Sequence, residues 1–238
     1  MKNVLIFGAS GHGSVVLDSL ERMQEFSPVG FVDSFKEKGT KINGYEVLGT
    51  EFDLPELIDR FNLVGGIIAI GDNWGRREMA ERIKRIVPDF HFISVIHPTA
   101  CIGKDVCLGN GVALLPGVIV NANSKIGDHC FLNTKASLGH DSVMEAFSSL
   151  APGVSTGGNI YLGRGAAISM GSSVLERVRI GADSVIGAGS LVLEDVPAGV
   201  MVFGSPASVV RSRRAGEPYL AGNRPKKNAA QLRFDYTG

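Results

Sequence analysis

One histidine of this chain has an acidic residue as its direct neighbour. His140 is followed by Asp141 and stands two positions after Leu138. A carboxylate beside an imidazole can orient the ring and stabilise its protonated form. Neighbouring side chains on a regular strand point to opposite faces, but a turn relaxes that constraint. The pair therefore indicates a candidate general base that projects outward, with an ordinary surface histidine as the alternative.

A glycine-rich run near the N terminus is the second candidate for chemistry. The run GASGHG occupies positions 8–13, between an apolar stretch at 4–7 and a stretch of helical spacing. Glycines placed there let the backbone approach a phosphate at the start of a helix. Asp33 stands twenty residues beyond Gly13, where it could bond a ribose hydroxyl. The GxxGxG spacing is not the dinucleotide fingerprint, so nucleotide binding and a turn that only packs a helix on a strand both stay open.

An aliphatic residue recurs at every sixth position through the second half of the chain. From Ile96 to Val192, sixteen of these seventeen positions hold an aliphatic residue or Met, and Thr156 is the exception. The residues two positions earlier are small or β-branched. Six residues suit one short strand and one corner, so three such units close a triangular coil that stacks at about 4.8 Å. The spacing therefore predicts a parallel β-helix with five full coils between residues 102 and 191.

The histidines of this second half do not predict a metal site. A metal-dependent enzyme of this architecture needs three histidines that meet. His97 and His129 are thirty-two residues apart, and His129 and His140 are eleven apart. Neither separation is a multiple of the eighteen-residue coil, so the side chains do not stack on one face. We expect no metal, a structural role for His97 and a surface position for His129.

Composition excludes several classes of protein. Lys+Arg and Asp+Glu both number 24 in 238 residues, so the chain lacks the basic footprint of a nucleic-acid-binding domain. No apolar run reaches the roughly 18 residues of a membrane span, and the first apolar run is too short for a secretory signal. Three cysteines without a CxxC pair favour free thiols in a reducing cytoplasm.

Residues 1–95 lack the six-residue repeat and alternate between strand and helix patterns. This alternation predicts a small Rossmann-like α/β domain with a parallel sheet. A domain of about 95 residues is only half of a dinucleotide fold, so a mononucleotide or a nucleotide-sugar suits it better than a nicotinamide cofactor. The predicted strands are 4–7, 29–32, 67–70 and 90–96, and the predicted helices are 14–26, 53–61 and 76–87.

Several motifs together resemble the left-handed β-helix sugar acyltransferases that carry a small nucleotide-sugar-binding N-terminal domain. This group includes the bacterial sialic acid O-acetyltransferases and the UDP-4-amino-sugar N-acetyltransferases of glycan biosynthesis. The resemblance covers residues 1 to about 209 and implies a left-handed β-helix acetyltransferase domain over residues 96–209. The motifs are IFGASGHGSVVLD at 6–18, FVDS at 31–34, IAIGDN at 68–73, IHPTA at 96–100, LNTKASLGHD at 132–141, IGAGSLVLEDVPAG at 186–199 and GSPA at 204–207.

The resemblance also implies site residues and partners. It implies that acetyl-CoA lies in the groove between adjacent solenoids of a homotrimer. Some relatives carry a histidine that contacts coenzyme A where this chain has Ser149. The implied roles are general base for His140, enhancement of its basicity for Asp141, proximity to the reacting groups for Asn133, nucleotide-sugar contact for Ser10, Gly11, His12, Asp33, Ser34 and Gly71, and coenzyme A contact for Ser149, Met170 and Ala188.

Together these features predict an acetyl-CoA-dependent N-acetyltransferase of a nucleotide-linked amino-deoxysugar in bacterial surface glycan biosynthesis. We expect His140 at the edge of one cleft that holds both substrates and is shared with the N-terminal domain. An O-acetyltransferase of a sugar such as sialic acid is the alternative enzyme. A non-catalytic nucleotide-sugar-binding scaffold is the alternative from another class, followed by a nicotinamide oxidoreductase.

Residues 210–238 lie outside both the repeat and the resemblance. The run RSRR at 211–214 opens a stretch with seven basic and two acidic residues. Gly, Pro and Asn interrupt it repeatedly. We expect a flexible basic C-terminal extension, with a lid or a contact to the phosphates of coenzyme A as the alternative.

Overall fold

A five-stranded sheet forms the N-terminal part of the computed structural model, which describes residues 1–214 and 216–220. The strands, in their order across the sheet, are β3 (Lys41–Ile42), β4 (Tyr45–Gly49), β2 (Phe26–Val32), β1 (Lys2–Phe7) and β5 (Gly65–Ile68). Strands β1, β2, β4 and β5 pair in parallel, which confirms the predicted α/β fold. β3 and β4 form an antiparallel hairpin that the sequence pattern did not reveal.

Three helices connect these strands. They are α1 (Gly11–Met23), α2 (Leu54–Phe61) and α3 (Asn73–Ile86), and a short 3-10 turn precedes α2. α1 and α3 each begin three residues before their predicted starts, because apolar spacing does not mark a polar first turn. Asp72 caps α3 by accepting a hydrogen bond from the Gly75 amide at 2.9 Å. α1 starts inside the glycine-rich run, at the carboxyl edge of the sheet.

Three parallel sheets form the faces of a left-handed β-helix. The first face contains β6 (Val95–Ile96), β9 (Ala113–Leu114), β12 (Phe131–Leu132), β15 (Ser149–Leu150), β18 (Ala167–Ile168), β21 (Val185–Ile186), β23 (Val200–Gly204) and the antiparallel β24 (Ala207–Ser212). The second face contains β7 (Cys101–Ile102), β10 (Ile119–Val120), β13 (Ser137–Leu138), β16 (Ser155–Thr156), β19 (Ser173–Val174) and β22 (Leu191–Val192). The third face contains β8 (Cys107–Leu108), β11 (Lys125–Ile126), β14 (Val143–Met144), β17 (Tyr161–Leu162) and β20 (Arg179–Ile180).

The pairing register confirms the predicted coil of eighteen residues. Ile119 pairs with Ser137, for example, and Phe131 pairs with Ser149. The aliphatic positions from Leu114 onward fill the interior of the prism. The residues two positions earlier are also buried from Val112 onward. Serine hydroxyls of this series bond the backbone of the next coil, as Ser124 Oγ does to the Gly139 carbonyl at 3.0 Å and Ser172 Oγ to the Gly187 carbonyl at 2.8 Å.

The connection between the two parts differs from its prediction. Residues 90–96 do not form one strand, because only Val95–Ile96 pairs, and it pairs with β9 of the solenoid. Phe92 instead makes a single bridge to Gly66 of the N-terminal sheet. Phe90 and Phe92 are buried beside α3, so packing against two different parts divides this apolar run.

A buried arginine joins α3 to the solenoid. Arg76 is fully buried, and its guanidinium donates to the backbone carbonyls of His129 at 2.8 Å and Phe147 at 3.0 Å. Asn73 donates to the solenoid carbonyls of Gly165 and Ala166, both at 3.1 Å. The prediction that His129 is a surface residue was wrong. Its ring is buried and stacks on Phe147 at a centroid distance of 4.9 Å.

The chain turns back after the solenoid. β24 runs to Ser212, so it crosses the predicted boundary between residues 209 and 210. Residues 213–214 and 216–220, here called the return segment, then approach α3 and the first face. The rest of the predicted extension, at 215 and 221–238, lies outside the described residues. Within the described part of the chain, no helix has the length and apolarity needed to cross a membrane.

Candidate active site

The imidazole of His140 is exposed and bonded to its acidic neighbour. Its Nδ1 lies 2.6 Å from Asp141 Oδ2, and about 60% of the side chain is accessible. Asp141 has a left-handed backbone, which lets two adjacent side chains meet at the corner between the second and third faces. The hydrogen bond with His140, and then one from Asn123, lower the pKa of the Asp141 carboxyl. An ionised Asp141 therefore holds the Nδ1 proton and leaves Nε2 as a proton acceptor.

The coil that follows His140 has a glycine at the position where a side chain would collide with the His140 ring. A Cβ built on Gly158 would lie only 2.5 Å from His140 Nε2. Thr156, the exception to the aliphatic row, uses its hydroxyl to accept a hydrogen bond from the Gly139 amide at 3.0 Å. The break in the repeat at 156–158 therefore supports the general-base candidate, and Thr156 followed by two glycines is its signal in the sequence.

A cavity of about 450 Å³ lies on the first face, where the N-terminal domain meets the solenoid. His12 and Gly71 line it from the N-terminal domain, and Asn133 lines it from a corner of the solenoid. Most of the remaining wall is apolar. The predicted coenzyme A residues Ser149, Met170 and Ala188 all line this same cavity.

His12 is held as a neutral imidazole in this cavity. Burial, and after it the nearby Arg76 guanidinium, lower the pKa of His12 to about 4. Its ring packs on Phe131 at a centroid distance of 4.8 Å. Its buried Nε2 has no hydrogen-bond partner among the described residues. A neutral ring with a free nitrogen can accept or donate one hydrogen bond to a sugar oxygen or hydroxyl.

The other predicted nucleotide-sugar residues lie at the carboxyl edge of the sheet, beside the cavity rather than in it. Ser10 and Gly11 are exposed at the start of α1, where backbone amides suit a phosphate. Asp33 accepts hydrogen bonds from three backbone amides, including Ala9 at 2.7 Å, so it orders the glycine-rich run. Ser34 donates to Glu51 at 2.7 Å. A Cβ on Gly13 would lie 2.3 Å from the Gly8 carbonyl, so the run also packs helix on strand.

The structure separates His140 from the cavity within one chain. His140 and Asp141 do not line it, although Asn133, seven residues earlier, does. The cause is the triangular cross-section: the cavity covers the first face, while His140 lies at the corner between the other two. Within one chain, His140 therefore does not line the cavity shared with the N-terminal domain, and its place at the edge of such a cleft stays a prediction.

The described residues contain no group of three or more His, Cys, Asp or Glu side chains placed to hold a metal ion. His97 is buried and bonds Thr99, with Nδ1 at 2.7 Å from the hydroxyl. Cys101 and Cys107 are free thiols on adjacent faces of the prism.

The N-terminal part matches a family model. The model described as the PglD N-terminal domain matches residues 3–83. This stretch contains the glycine-rich run, Asp33 and Gly71, which are the residues at the carboxyl edge of the sheet.

Two curated relatives act on nucleotide-linked sugars by their names. GDP-perosamine N-acetyltransferase of Escherichia coli is 33% identical over 216 residues, which are 85% of this chain and 93% of the relative. UDP-N-acetylbacillosamine N-acetyltransferase of Bacillus subtilis is 34% identical over 117 residues, which are 48% of this chain and 52% of that relative.

Two solved structures superpose on most of the chain. A mutant of perosamine N-acetyltransferase from Caulobacter crescentus, in complex with CoA and GDP-perosamine, is 34% identical with a TM-score of 0.83 and covers 89% of this chain and 98% of that one. The acetyltransferase domain of PglB from Neisseria gonorrhoeae, in complex with acetyl coenzyme A, is 28% identical with a TM-score of 0.82 and covers 88% of this chain and 99% of that one.

Proposed function

Because this chain belongs to the hexapeptide-repeat sugar N-acetyltransferases, we propose that it transfers the acetyl group of acetyl-CoA to the amino group of a nucleotide-linked deoxysugar. The observation that carries the proposal is the cavity, which joins His12 and Gly71 of the N-terminal domain to the apolar first face. GDP-perosamine is the first acceptor to test, since similar proteins carry it in their names or complexes. A UDP-linked 4-amino sugar is the second.

The substrates have natural positions around this cavity. The diphosphate would lie at the exposed start of α1, beside Ser10 and Gly11, with the nucleoside toward Asp33 and Ser34. The sugar would lie against His12 and Gly71. The extended arm of acetyl-CoA would follow the first face past Ser149, Met170 and Ala188, where mainly apolar walls suit its pantetheine chain.

The reaction needs a base close to the attacking amine. The amine nitrogen would form a bond to the thioester carbon while His140 Nε2 takes its proton. The C–S bond then breaks, and the coenzyme A thiolate receives that proton from His140. Asn133, at the cavity wall, would bond the reacting groups. A positioned base contributes roughly 10²–10⁴-fold to such a step.

A homotrimer would bring these parts together. Since His140 lies away from the cavity of its own chain, we propose that the His140–Asp141 pair of one protomer faces the cavity of the next. Exposed apolar residues along the second face, among them Ile119, Leu175 and Leu193, are available for such contacts. Activated sugars and acetyl-CoA are cytoplasmic metabolites, so we place the enzyme in the cytoplasm, in the synthesis of a surface glycan.

The test is transfer by the purified protein and by a His140→Ala variant. We expect the GDP-perosamine product to gain the mass of one acetyl group and to survive mild base, which would hydrolyse an ester. His140→Ala should lower kcat by roughly 10²–10⁴-fold without changing the mass of the assembly. The matched control is His91→Ala, at an exposed histidine of the N-terminal part. Near-normal transfer by His140→Ala would remove His140 from this role, and a base-labile product would favour the O-acetyltransferase.

A further inference from the structure

The return segment is held in place by a set of bonds around one arginine. The backbone amide of Arg213 donates to the Gly199 carbonyl at 2.7 Å, and its guanidinium donates to the Asp183 carbonyl at 2.6 Å and to the Glu217 carbonyl. Glu217 in turn pairs with Arg211 at 2.6 Å. These contacts fix the direction of the chain after β24, so the residues that follow are delivered to a defined place.

The segment then packs on the start of α3. Gly216 has φ +78°, and a Cβ built there would lie 3.0 Å from the Trp74 ring. The Arg213 guanidinium lies 5.5 Å from the centre of the Tyr219 ring. The close approach at Gly216 lets the chain reach the mouth of the cavity, where Tyr219 and Leu220 form part of the wall.

Tyr219 points its hydroxyl to the boundary between the two halves of the cavity. Its Oη lies 3.5 Å from the Gly71 carbonyl, on the side of the N-terminal domain. A terminal methyl of Leu220 lies 3.2 Å from the position of a Cβ on Gly71, and Cγ of the His12 ring lies 3.9 Å from that same position. Burial raises the pKa of the Tyr219 phenol despite the nearby Arg76 and Ser149, so the hydroxyl keeps its proton at neutral pH.

A long contact of 3.5 Å leaves this proton available to a better acceptor. The acceptor sugar of the proposed function would enter beside Gly71 and His12, where ring and hydroxyl oxygens meet the phenol. The Tyr219 ring and the Leu220 methyls would cover an apolar face of a deoxysugar. We propose that Tyr219, with Leu220, is a binding and positioning residue for the amino-deoxysugar, supplied by the return segment rather than by either domain.

This inference rests on the proposed function, and kinetics can separate the two. Tyr219→Phe removes only the hydroxyl, and we expect it to raise KM for GDP-perosamine roughly three- to tenfold, the range for one neutral hydrogen bond. The phenol also lies near Ser149 of the first face, so KM for acetyl-CoA is measured as well. We expect it to stay within about twofold, because the apolar wall of the first face is unchanged in this variant. Tyr219→Ala should raise the acceptor KM further. Tyr161→Phe and Tyr161→Ala, on the third face and away from the cavity, are the matched controls.

A second variant tests the placement of the segment. Gly216→Val cannot keep its contact with Trp74, which is the single tryptophan of the chain. We expect the tryptophan emission of Gly216→Val to shift to the red, and its KM for the acceptor to rise as much as that of Tyr219→Ala. An unchanged acceptor KM in Tyr219→Ala, or a change confined to KM for acetyl-CoA, would overturn the inference. If the wild type transfers no acetyl group, the proposed function fails. The inference about Tyr219 is then tested by calorimetric binding of GDP-perosamine to wild type and to Tyr219→Phe. Weaker binding by Tyr219→Phe supports the inference, and equal binding by the two proteins overturns it.

Discussion

The position of the His140 ring depends on the lack of a Cβ atom at residue 158. Gly158 lies under the ring, and its φ is outside the left-handed region, so alanine is allowed by the backbone. Gly158→Ala would place a methyl group 2.5 Å from the present position of Nε2. The ring must then tilt away and lengthen its bond to Asp141. Since the proposed base, once displaced, would lose much of its roughly 10²–10⁴-fold contribution, we expect kcat to fall by about tenfold or more.

Steady-state kinetics and thermal unfolding of the same preparation check this prediction together. The midpoint of unfolding should stay close to wild type, because the ring is on the surface and can move without disturbing the interior. Wild-type kcat in Gly158→Ala would show that the ring tolerates displacement, and that the glycines at 157–158 serve only the close stacking of coils.

The residue positions that the sequence could predict are those fixed by the coil itself. An outward position for His140 and its contact with Asp141 follow from eighteen residues per coil and a relaxed corner. Met170 and Ala188 are eighteen residues apart, so they take equivalent corner positions in successive coils and line the same cavity as Ser149. The burial of His129 and the position of Tyr219 could not be predicted from the sequence, because each depends on partners from distant parts of the chain. His129 is buried by Phe147 and Arg76. Tyr219 is placed by contacts of its segment with Trp74 and Gly71.

At the scale of elements, the junction between α3 and the solenoid should make stability sensitive to acid. Burial is the main cause that lowers the pKa of His129 to about 4, and Arg76 acts in the same direction. His12, next to the same arginine, also has a pKa of about 4. An unfolded histidine titrates near 6.5. Between about pH 6.5 and 4 the unfolded chain therefore binds more protons than the folded chain, so the free energy of unfolding falls as pH falls.

We expect each of these two histidines to account for roughly 2–3 kcal/mol of this loss, from about 1.4 kcal/mol for each pKa unit. His129→Asn removes one titration and tolerates the left-handed backbone of that position. Urea unfolding at about pH 7.5 and 4.5, at fixed protein concentration, should show a smaller pH-dependent difference in this variant than in wild type. His91→Asn, at an exposed site, should leave the difference unchanged. Equal differences in all three proteins would mean that His129 takes up a proton inside the fold.

The sequence predicted those helices and strands whose apolar residues follow a single regular spacing. The six-residue repeat located the solenoid strands, and the helical spacing located α1, α2 and α3 to within a few residues. The strand predicted at 90–96 failed because its apolar residues serve different cores. Phe90 and Phe92 pack beside α3, Ile93 and Val95 pack in the core between the N-terminal sheet and α1, and Ile96 packs against the interior of the prism. The hairpin of β3 and β4 was missed because its edge strand, β3, has only two residues, which are too few to show a period of two.

At the scale of the whole molecule, the distance between His140 and the cavity predicts active sites that two chains complete. In a closed trimer each cavity faces one neighbour. A His140→Ala chain keeps an intact cavity, and an Asn133→Ala chain keeps an intact base. When the two inactive variants are co-expressed in equal amounts, a cavity from the first type and a base from the second coincide in about a quarter of the sites, so about a quarter of wild-type activity should return.

Each variant alone should show only its residual rate, and light scattering should give three times the chain mass for all of them. The matched control is co-expression of His140→Ala with a chain that carries both substitutions. No site then combines an intact cavity with an intact base, and the activity should stay at the residual level. If the activity of the co-expressed single variants never exceeds the sum of their separate activities, His140 and the cavity of the same chain belong to one site. The triangular cross-section of this solenoid does not allow that arrangement unless its faces rearrange.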